Sequence, residues 1–561
     1  MKIHIIGAGP TGMSLAWEIL RSGDHDVTIY DRKVSAGGSW WEPDVETRDL
    51  HAHRIVFDKA FVNTQSLFSE MNIDWNEIFQ PVERMGHFDF AFKSLGVKDY
   101  GTLISLFSRV LAQPQKFKGI SLKDAVGPLS DKGEKYIEHL PLIMDGVTWD
   151  VMSASEFVKN LDHTILSQMY TQKESGKVMC DAMEEALINA GANFIFGTEL
   201  MNVEYGEDDF VATFSDERTI DDGMLFLCLD NSPAMKFLGD NWGPDATKQL
   251  QGSTYGAINV LVDYDETPVM KTDLEIAIQT KWNLQPKVLF GTNTISCVIC
   301  DLSEEILTSN PETIKEEVVK QLGLPEPVDM RFGWGAEWEV EKERWSFSQS
   351  SGVLSLHGQL PFFGKCPKVA MCGMMSPRET PYSSIEAGTE VSRSLSHECF
   401  GTRKPLKPLL LTQVLLFILV LLIVLILVIS IYFSSTKIDL IHIPFQLPIS
   451  IFILSVGILI FINPVLQFIK SKTTINPIKF EETNKLVTSG IFKYSRNPMY
   501  LGMLMIIIST SIFYLNIYSI LTPFLFILWI NKFQIKREEV FLTEKFGKEY
   551  LSYKKKTRRW I

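Results

Sequence analysis

Positive charge is scarce in the first 400 residues of this chain, and charge of either sign is missing from three long stretches of the rest. Residues 1–400 carry 34 Lys and Arg against 60 Asp and Glu, a net of −26; from Gly401 onward 20 cations face 7 acids, a net of +13, so the whole-chain value of −13 describes neither part. Nothing in the acidic part reads as a basic nucleic-acid groove, so no nucleic-acid partner is expected. Cysteine is sparse too. Seven of them, an odd number scattered from Cys180 to Cys399, make no disulfide framework and suit a reducing compartment. The one close pair, Cys297 and Cys300 in TISCVICDL, lies in a β-branched run and reads as buried strand rather than as a redox or metal pair. The apolar N-terminus lacks the unbroken run of a signal peptide, because glycines interrupt it, and it reads as folded structure. At 561 residues the chain exceeds the usual domain size several-fold, so more than one folding unit is expected.

Where charge is missing, lipid is the natural solvent. Leu409 to Phe433 is 25 residues without a charge, Ile449 to Ile469 is 21 and Met499 to Ile530 is 32. About 20 apolar residues cross the hydrocarbon core, so the first two read as single spans, while the third is long for one helix and short for two. The basic residues decide. Arg403, Lys404 and Lys407 precede the first stretch; Lys470, Lys472, Lys479, Lys485, Lys493 and Arg496 follow the second; Lys532, Lys536, Arg537 and KKKTRR follow the third; only Lys437 lies between the first two. The positive-inside bias places every basic segment in the cytoplasm, which requires the third stretch to turn back near Tyr514, Leu515 and Asn516. The expectation is an integral, multi-pass, all-α bundle of about four spans, near 409–433, 449–469, 499–514 and 516–531, with both termini cytoplasmic.

Two polar clusters sit at the cytoplasmic mouth of that hairpin. TTINPIKFEETNKLVTSGIFKYSRNPMYLG enters it and REEVFLTEKFGKEYLSYKKKTRRWI leaves it. Read on spacing alone, these are snorkelling charges, an amphipathic tail and a proline in a first helical turn, where its missing N–H costs nothing. Together they closely resemble the integral-membrane methyltransferases of the isoprenylcysteine carboxyl methyltransferase and phospholipid N-methyltransferase superfamily, over about Lys472 to Ile561. The resemblance implies an S-adenosylmethionine pocket with Arg496, Asn497, Pro498, Tyr500 and Gly502 on one wall and Glu538 and Glu539 on the other. A ligand bearing a sulfonium, an amine and a carboxylate can pair each charge there, and pairing counts for more at a dry rim.

The acidic part opens with IHIIGAGPTGMSLAWEIL. Gly7, Gly9 and Gly12 form GxGxxG after an apolar β run and before a helical pattern, and Asp31 ends the next strand, 19 residues past Gly12. A strand before, a helix after and an acid at about 20 residues complete the dinucleotide fingerprint. Backbone N–H groups and the positive helix end meet a pyrophosphate, and Asp31 accepts from a ribose hydroxyl. Downstream, RKVSAGGSWW and KVAMCGMMSPRETPYSSIEAGTEVSRSL resemble the FAD-dependent amine oxidase and phytoene desaturase superfamily, over most of residues 1–395. Gly37 and Gly38 match the family's Gly-Gly after the ribose acid; Gly373, Ser384, Ile385, Glu386, Ala387 and Gly388 match its closing segment; Ser39 and Trp40 stand where the family has Arg. Ser383 to Glu386 reads independently as a capping box, starting a helix whose positive end would face the reduced flavin. No second GxGxxG occurs, which argues against reductases that hold NADPH in a domain of their own. His51 and His53 have no further His or Cys cluster beside them, so no metal is called for.

The expected architecture is an α/β FAD-binding Rossmann-type domain (1–396) with an inserted α+β substrate domain (about 57–165 and 255–347), a linker (397–408) and an integral-membrane methyltransferase domain (409–561). The expected function is a bifunctional flavin oxidoreductase and S-adenosylmethionine-dependent methyltransferase, with FAD and S-adenosyl-L-methionine as cofactors. The bilayer and a lipid or isoprenoid-like substrate are its partners, and the FAD domain lies in the cytoplasm. No side chain is singled out as catalytic, because in this family the isoalloxazine ring does the hydride chemistry. Two alternatives stay open: a flavin domain with a non-redox or silent role, and a membrane half that is only an anchor. The topology is testable in intact cells. An impermeant thiol reagent should label Lys437→Cys and spare Lys485→Cys; labelling at 485 alone would invert the orientation.

Overall fold

The computed structural model describes residues 1–40, 55–82, 85–252, 254–289, 291–333, 335–347, 351–352, 359–408, 410, 444–470, 488–515 and 517–560. The chain divides into two compact units, Met1–Leu106 with Gln115–Leu409, and Phe107–Pro114 with Leu410–Ile561. His51, His53 and nearly all of the first apolar stretch lie outside the described residues.

The first unit is built on β1 (Lys2–Ile6), α1 (Pro10–Leu20) and β2 (Asp26–Asp31), followed by helices α2 (Val62–Glu70), α3 (Met85–Ser94) and α4 (Val97–Ala112), the last belonging to this unit through Leu106. Strands β3 (Asn193–Phe196), β4 (Met224–Leu227) and β5 (Val369–Met371) return to the same sheet, and α5 (Ile385–Phe400) closes the unit. The sheet order is β5-β4-β1-β2-β3, every pair parallel. Fully buried strands such as Ile3, Ile5 and Ile29 of β1 and β2 fit a parallel sheet covered on both faces. The excursion between β4 and β5 forms a four-stranded antiparallel sheet from Ile258–Asp263, Gln285–Val288, Thr294–Ile299 and Asp329–Phe332. Cys297 lies in its buried central strand with Cys300 just beyond, and both are free thiols.

Two expectations change here. Ser384, not Ser383, is the N-cap of α5, its Oγ accepting from Ala387 N at 3.2 Å. Glu386 does not complete a capping box. Its carboxylate accepts from Asn63 N (3.0 Å), Asn63 Nδ2 (2.7 Å), Thr64 N (2.8 Å) and Thr64 Oγ1 (2.9 Å), satisfying the first turn of α2 instead of its own helix. Burial nevertheless pushes this acid up to about 6. The tether read from His397 is also shorter than expected, because α5 runs to Phe400 and ends on Gly401 in the left-handed conformation (φ 66°). The residues beyond it lie along the unit as a strap. Arg403 bridges Glu18 (Nη2–Oε1 2.6 Å) and Glu70 (Nη1–Oε1 2.5 Å), and Leu406 exchanges two hydrogen bonds with the Asn63 side chain (2.7 and 2.9 Å).

In the second unit α6 (Gln446–Lys470) packs antiparallel on α7 (Pro498–Tyr514), and α8 (Ile517–Trp529) returns beside α7. The hairpin turns where the sequence suggested, with Leu515 at φ 41° capping α7. Among the described residues one helix, α6, is long and apolar enough to cross a membrane; α7 and α8 are shorter apolar helices of 17 and 13 residues. A π-turn at Ile530–Ile535 joins α8 to α9 (Lys536–Lys556), which is broken at Gly547 (φ 48°).

The strap yields a prediction. Arg403→Ala removes its clamp, worth about 1–2 kcal/mol for a guanidinium this open to water. Amide hydrogen exchange at Lys404 and Leu406 should then be roughly tenfold faster, with overall unfolding little changed.

Candidate functional site

The dinucleotide turn is built by two glycine loops set back to back. Gly7 N donates to Tyr30 O (2.7 Å) and Gly37 N to Ala8 O (2.9 Å), which brings Gly9 against Gly38. Gly38 has φ 57°, and a Cβ there would lie 2.7 Å from Gly9 Cα, so only glycine fits. Gly12 opens α1, packed on the Gly7 carbonyl, and Gly373 follows β5 with its N–H donated to Ser376 Oγ at 3.0 Å. Asp31 is where the fingerprint puts it, yet it is engaged. One oxygen accepts from Ala8 N (2.8 Å) and the other from Lys33 N (2.9 Å), so it holds the glycine loop in shape. Lys33 donates its amine to Gly38 O at 2.9 Å, bringing a cation to the Gly-Gly turn that Ser39 and Trp40 leave without one.

The Ser384 cap and the glycine loop belong to one place because α1 and α5 run side by side and parallel. Ser14 faces Thr389 (Oγ–Oγ1 3.4 Å) and, four residues on along both helices, Glu18 pairs with Arg393 (2.9 Å), while Ser392 Oγ donates to Thr11 O (2.8 Å). A Cβ on Gly388 would sit 2.4 Å from Thr11 Oγ1. Small residues thus let the first turns of both helices, 11 and 16 residues long, present their unsatisfied N–H groups at the same end. Two adjacent helix N-termini and a positive-φ glycine turn make a site for an extended polyanion. Gly388 and Ser392 carried the signal for this contact, small residues one turn apart.

The second cluster lies where the polypeptide enters α7 and leaves α8. Arg496 Nη2 donates to Glu539 Oε1 (2.8 Å) and Nη1 to the carbonyls of Lys554 (2.9 Å) and Thr557 (3.2 Å); its Nε is buried with no hydrogen-bond partner among the described residues. Asn497 Nδ2 donates to Arg559 O (2.9 Å), and Pro498 is the first residue of α7. Tyr500 Oη donates to Glu538 Oε1 at 2.5 Å. Glu539, 6% exposed, is held by Arg496, by Arg559 (Nη2–Oε2 2.8 Å) and by Lys554 (3.2 Å). Burial alone would push this acid up; the Arg559 hydrogen bonds and the charges of Arg559, Arg496 and Lys554 outweigh it and hold the carboxyl below its ordinary value of 4.5.

The structure therefore brings Arg496, Asn497, Tyr500, Glu538 and Glu539 together. Gly502 is placed elsewhere, at the crossing of α7 and α6, where a Cβ would lie 2.6 Å from Phe461 N; its role in this geometry is helix packing. Arg559 was not singled out by sequence reasoning. It sits in a run of cations that reads as a solvated tail, yet Arg496 N donates to Arg558 O (3.0 Å) and Trp560 Nε1 to Asn531 Oδ1 (3.1 Å), so the tail is a wall of the cluster.

A family model for phospholipid methyltransferases matches residues 446–549, and one for an NAD(P)-binding Rossmann-like domain matches residues 5–61. The protein-S-isoprenylcysteine O-methyltransferase of Saccharomyces cerevisiae is 42% identical over 81 residues, 14% of this chain and 33% of that protein. A probable protein-S-isoprenylcysteine O-methyltransferase of Oryza sativa subsp. japonica is 36% identical over 90 residues, 16% of this chain and 46% of that one. The chain thus spans less than half the length of either enzyme. An uncharacterized protein of Haemophilus influenzae is 48% identical over 63 residues, 11% of this chain and 100% of that protein. Among solved structures, an oxidoreductase from Methanosarcina mazei is similar over 70% of this chain and 99% of its own (15% identity, TM-score 0.48). Putrescine oxidase bound to putrescine is similar over 72% and 99% (12% identity, TM-score 0.47).

The cluster makes a pH prediction. Because the folded pKa of Glu539 is depressed, its contribution to stability is present above pH 4.5 and is lost as pH falls through the folded value. Glu539→Gln leaves three cations around a neutral amide and should cost about 3 kcal/mol near neutrality. In thermal unfolding of the detergent-held protein, the gap between variant and wild type should narrow only below pH 4.5.

Proposed function

With a Rossmann-like dinucleotide unit at one end and a phospholipid-methyltransferase-like unit at the other as the premise, we propose that this protein is a bifunctional membrane enzyme. An FAD-dependent oxidoreductase of amine oxidase type is joined to an S-adenosylmethionine-dependent methyltransferase that modifies a lipid, isoprenoid or other membrane-associated acceptor. Both cofactor sites face the cytoplasm. The observation that carries the methyltransferase reading is Arg496, a buried guanidinium fixed by three acceptors with one N–H that meets no acceptor among the described residues. A buried donor of that kind is costly unless a ligand acceptor completes it, and a carboxylate suits it.

The residues fit S-adenosylmethionine, which when bound supplies an electrophilic methyl on sulfur. Arg496 Nε meets the ligand carboxylate, and Glu538, oriented by the Tyr500 hydroxyl, takes the amine or sulfonium charge. Glu539 acts through Arg496 rather than on the ligand, since two arginines and a lysine already surround it. In the first unit the parallel ends of α1 and α5, the Gly9–Gly38 contact and Asp31 fit an FAD pyrophosphate and ribose; the bound isoalloxazine supplies the hydride acceptor. Lys33 and the α5 N-terminus, capped by Ser384 and begun by Ile385, supply positive potential to its phosphate and ring ends.

Ligand binding by the purified full-length protein tests both halves. The wild type should be yellow and release FAD on denaturation. Gly9→Val should be colourless with an unchanged helical circular-dichroism signal, and Asp31→Ala should lose flavin only in part. S-adenosylmethionine should bind the nanodisc-held wild type, with Arg496→Ala and Glu538→Gln each weakening it about 10- to 100-fold, the worth of one charge-assisted hydrogen bond. A colourless wild type that takes up no added FAD overturns the flavin assignment. Variants of Arg496 and Glu538 that bind like wild type leave the second unit an anchor.

A further inference from the structure

One helical face of the first unit is at odds with its surroundings. α4 sets Val97, Tyr100 and Ile104 along one side at i, i+3, i+7 spacing, and Val97 is 91% and Ile104 65% exposed. Phe92 of α3, 71% exposed, has its ring centroid 6.4 Å from that of Tyr100, so the stripe continues onto the neighbouring helix. The inward side of α4 is used otherwise. Leu106 is buried, and buried Asp99 accepts from Gly96 N (2.8 Å), Ser130 N (2.7 Å) and Ser130 Oγ (2.7 Å). Single exposed apolar residues are ordinary; a row of them across two helices marks an interaction surface.

Local charge has the opposite sign to the rest of this part of the chain. Residues 85–118 carry Lys93, Lys98, Arg109, Lys116 and Lys118 against Asp89 and Asp99, a net of +3 within a part whose net is −26. Lys93 and Lys98 flank Phe92 and Val97 directly. An apolar row edged by lysines matches the boundary between anionic headgroups and acyl chains. A chain carrying a 25-residue apolar helix already holds its other surfaces near lipid, so a weak patch can be occupied. The acidic remainder is repelled from an anionic leaflet, which makes this the face able to approach.

We propose that the α3–α4 face docks on the anionic cytoplasmic leaflet, with Phe92, Val97 and Ile104 entering the headgroup boundary and Lys93 and Lys98 meeting lipid phosphates. The inference rests on the membrane reading, and the test separates the two. The full chain is placed in phosphatidylcholine–phosphatidylglycerol nanodiscs, with Cys300 and Cys399, the two half-buried thiols, changed to Ser. An environment-sensitive fluorophore is attached through Val97→Cys, Ile104→Cys, Val269→Cys or Leu459→Cys, and quenching by doxyl-labelled lipid is measured. Labels at 97 and 104 should be quenched about twofold or more, the label at 269, a position 98% exposed, hardly at all, and the label at 459 of α6 strongly. Ile104→Asp or pure phosphatidylcholine should each lower quenching at 97. Quenching at 459 with none at 97 and 104 overturns the docking face but not the membrane reading; none at 459 overturns both. A blue shift at 97 without lipid quenching, as a soluble partner or a second copy would give, also overturns it.

Discussion

A guanidinium with no access to water organises the first unit. Arg393 is fully buried and donates to Glu18 of α1 (2.9 Å) and to Asn63 (2.9 Å) and Ser66 (3.3 Å) of α2, while sitting on α5 itself. A buried charge is tolerable only when it is paired and hydrogen-bonded throughout, and removing one partner typically costs about 3–5 kcal/mol. Three helices must therefore keep one register. That register aligns α5 with α1 so that their first turns end side by side, and Asn63, shared between Arg393 and Glu386, ties the same alignment to the start of α2. The positive end offered to a polyanion is a consequence of where one cation had to find its acceptors.

The second unit solves the inverse problem around an acid. Glu539 is enclosed by cations from three segments, Arg496 at the mouth of α7, Lys554 in α9 and Arg559 beyond it. Adjacent in sequence, Glu538 and Glu539 point to different partners. Glu539 is a strut between segments, and Glu538 accepts from the Tyr500 hydroxyl. Paired glutamates thus need not share a role, because each carboxyl is set by the groups packed against it.

Legibility followed the distance over which a residue's partner lies. The glycine turn, the acid that ends β2 and the hairpin turn at Leu515 are local, and their sequence patterns sufficed. Glu386 fits a capping pattern within four residues, yet its acceptors serve Asn63 and Thr64, more than 300 positions away, and no local pattern could reveal that. Gly502 resembled a cofactor-wall glycine because it stands beside one motif, while the reason for its missing side chain is Phe461 on another helix. Arg559 was hidden by composition, one cation in a run of five within a tail that looked solvated. Of the expected four spans, nearly all of the first falls outside the described residues, and of the helices at the other three positions only α6 is long and apolar enough to cross a membrane.

The strap at Arg403 also bears on how mechanical load would travel. Chain leaving Gly401 is fastened crosswise, by Arg403 on Glu18 and Glu70 and by Leu406 on Asn63, before it continues beyond residue 408. A pull from downstream would shear several bonds in parallel on the α1–α2 surface instead of peeling the last turn of α5. The far end of α5, four turns away, would therefore be insulated from tugging by whatever the downstream chain is embedded in.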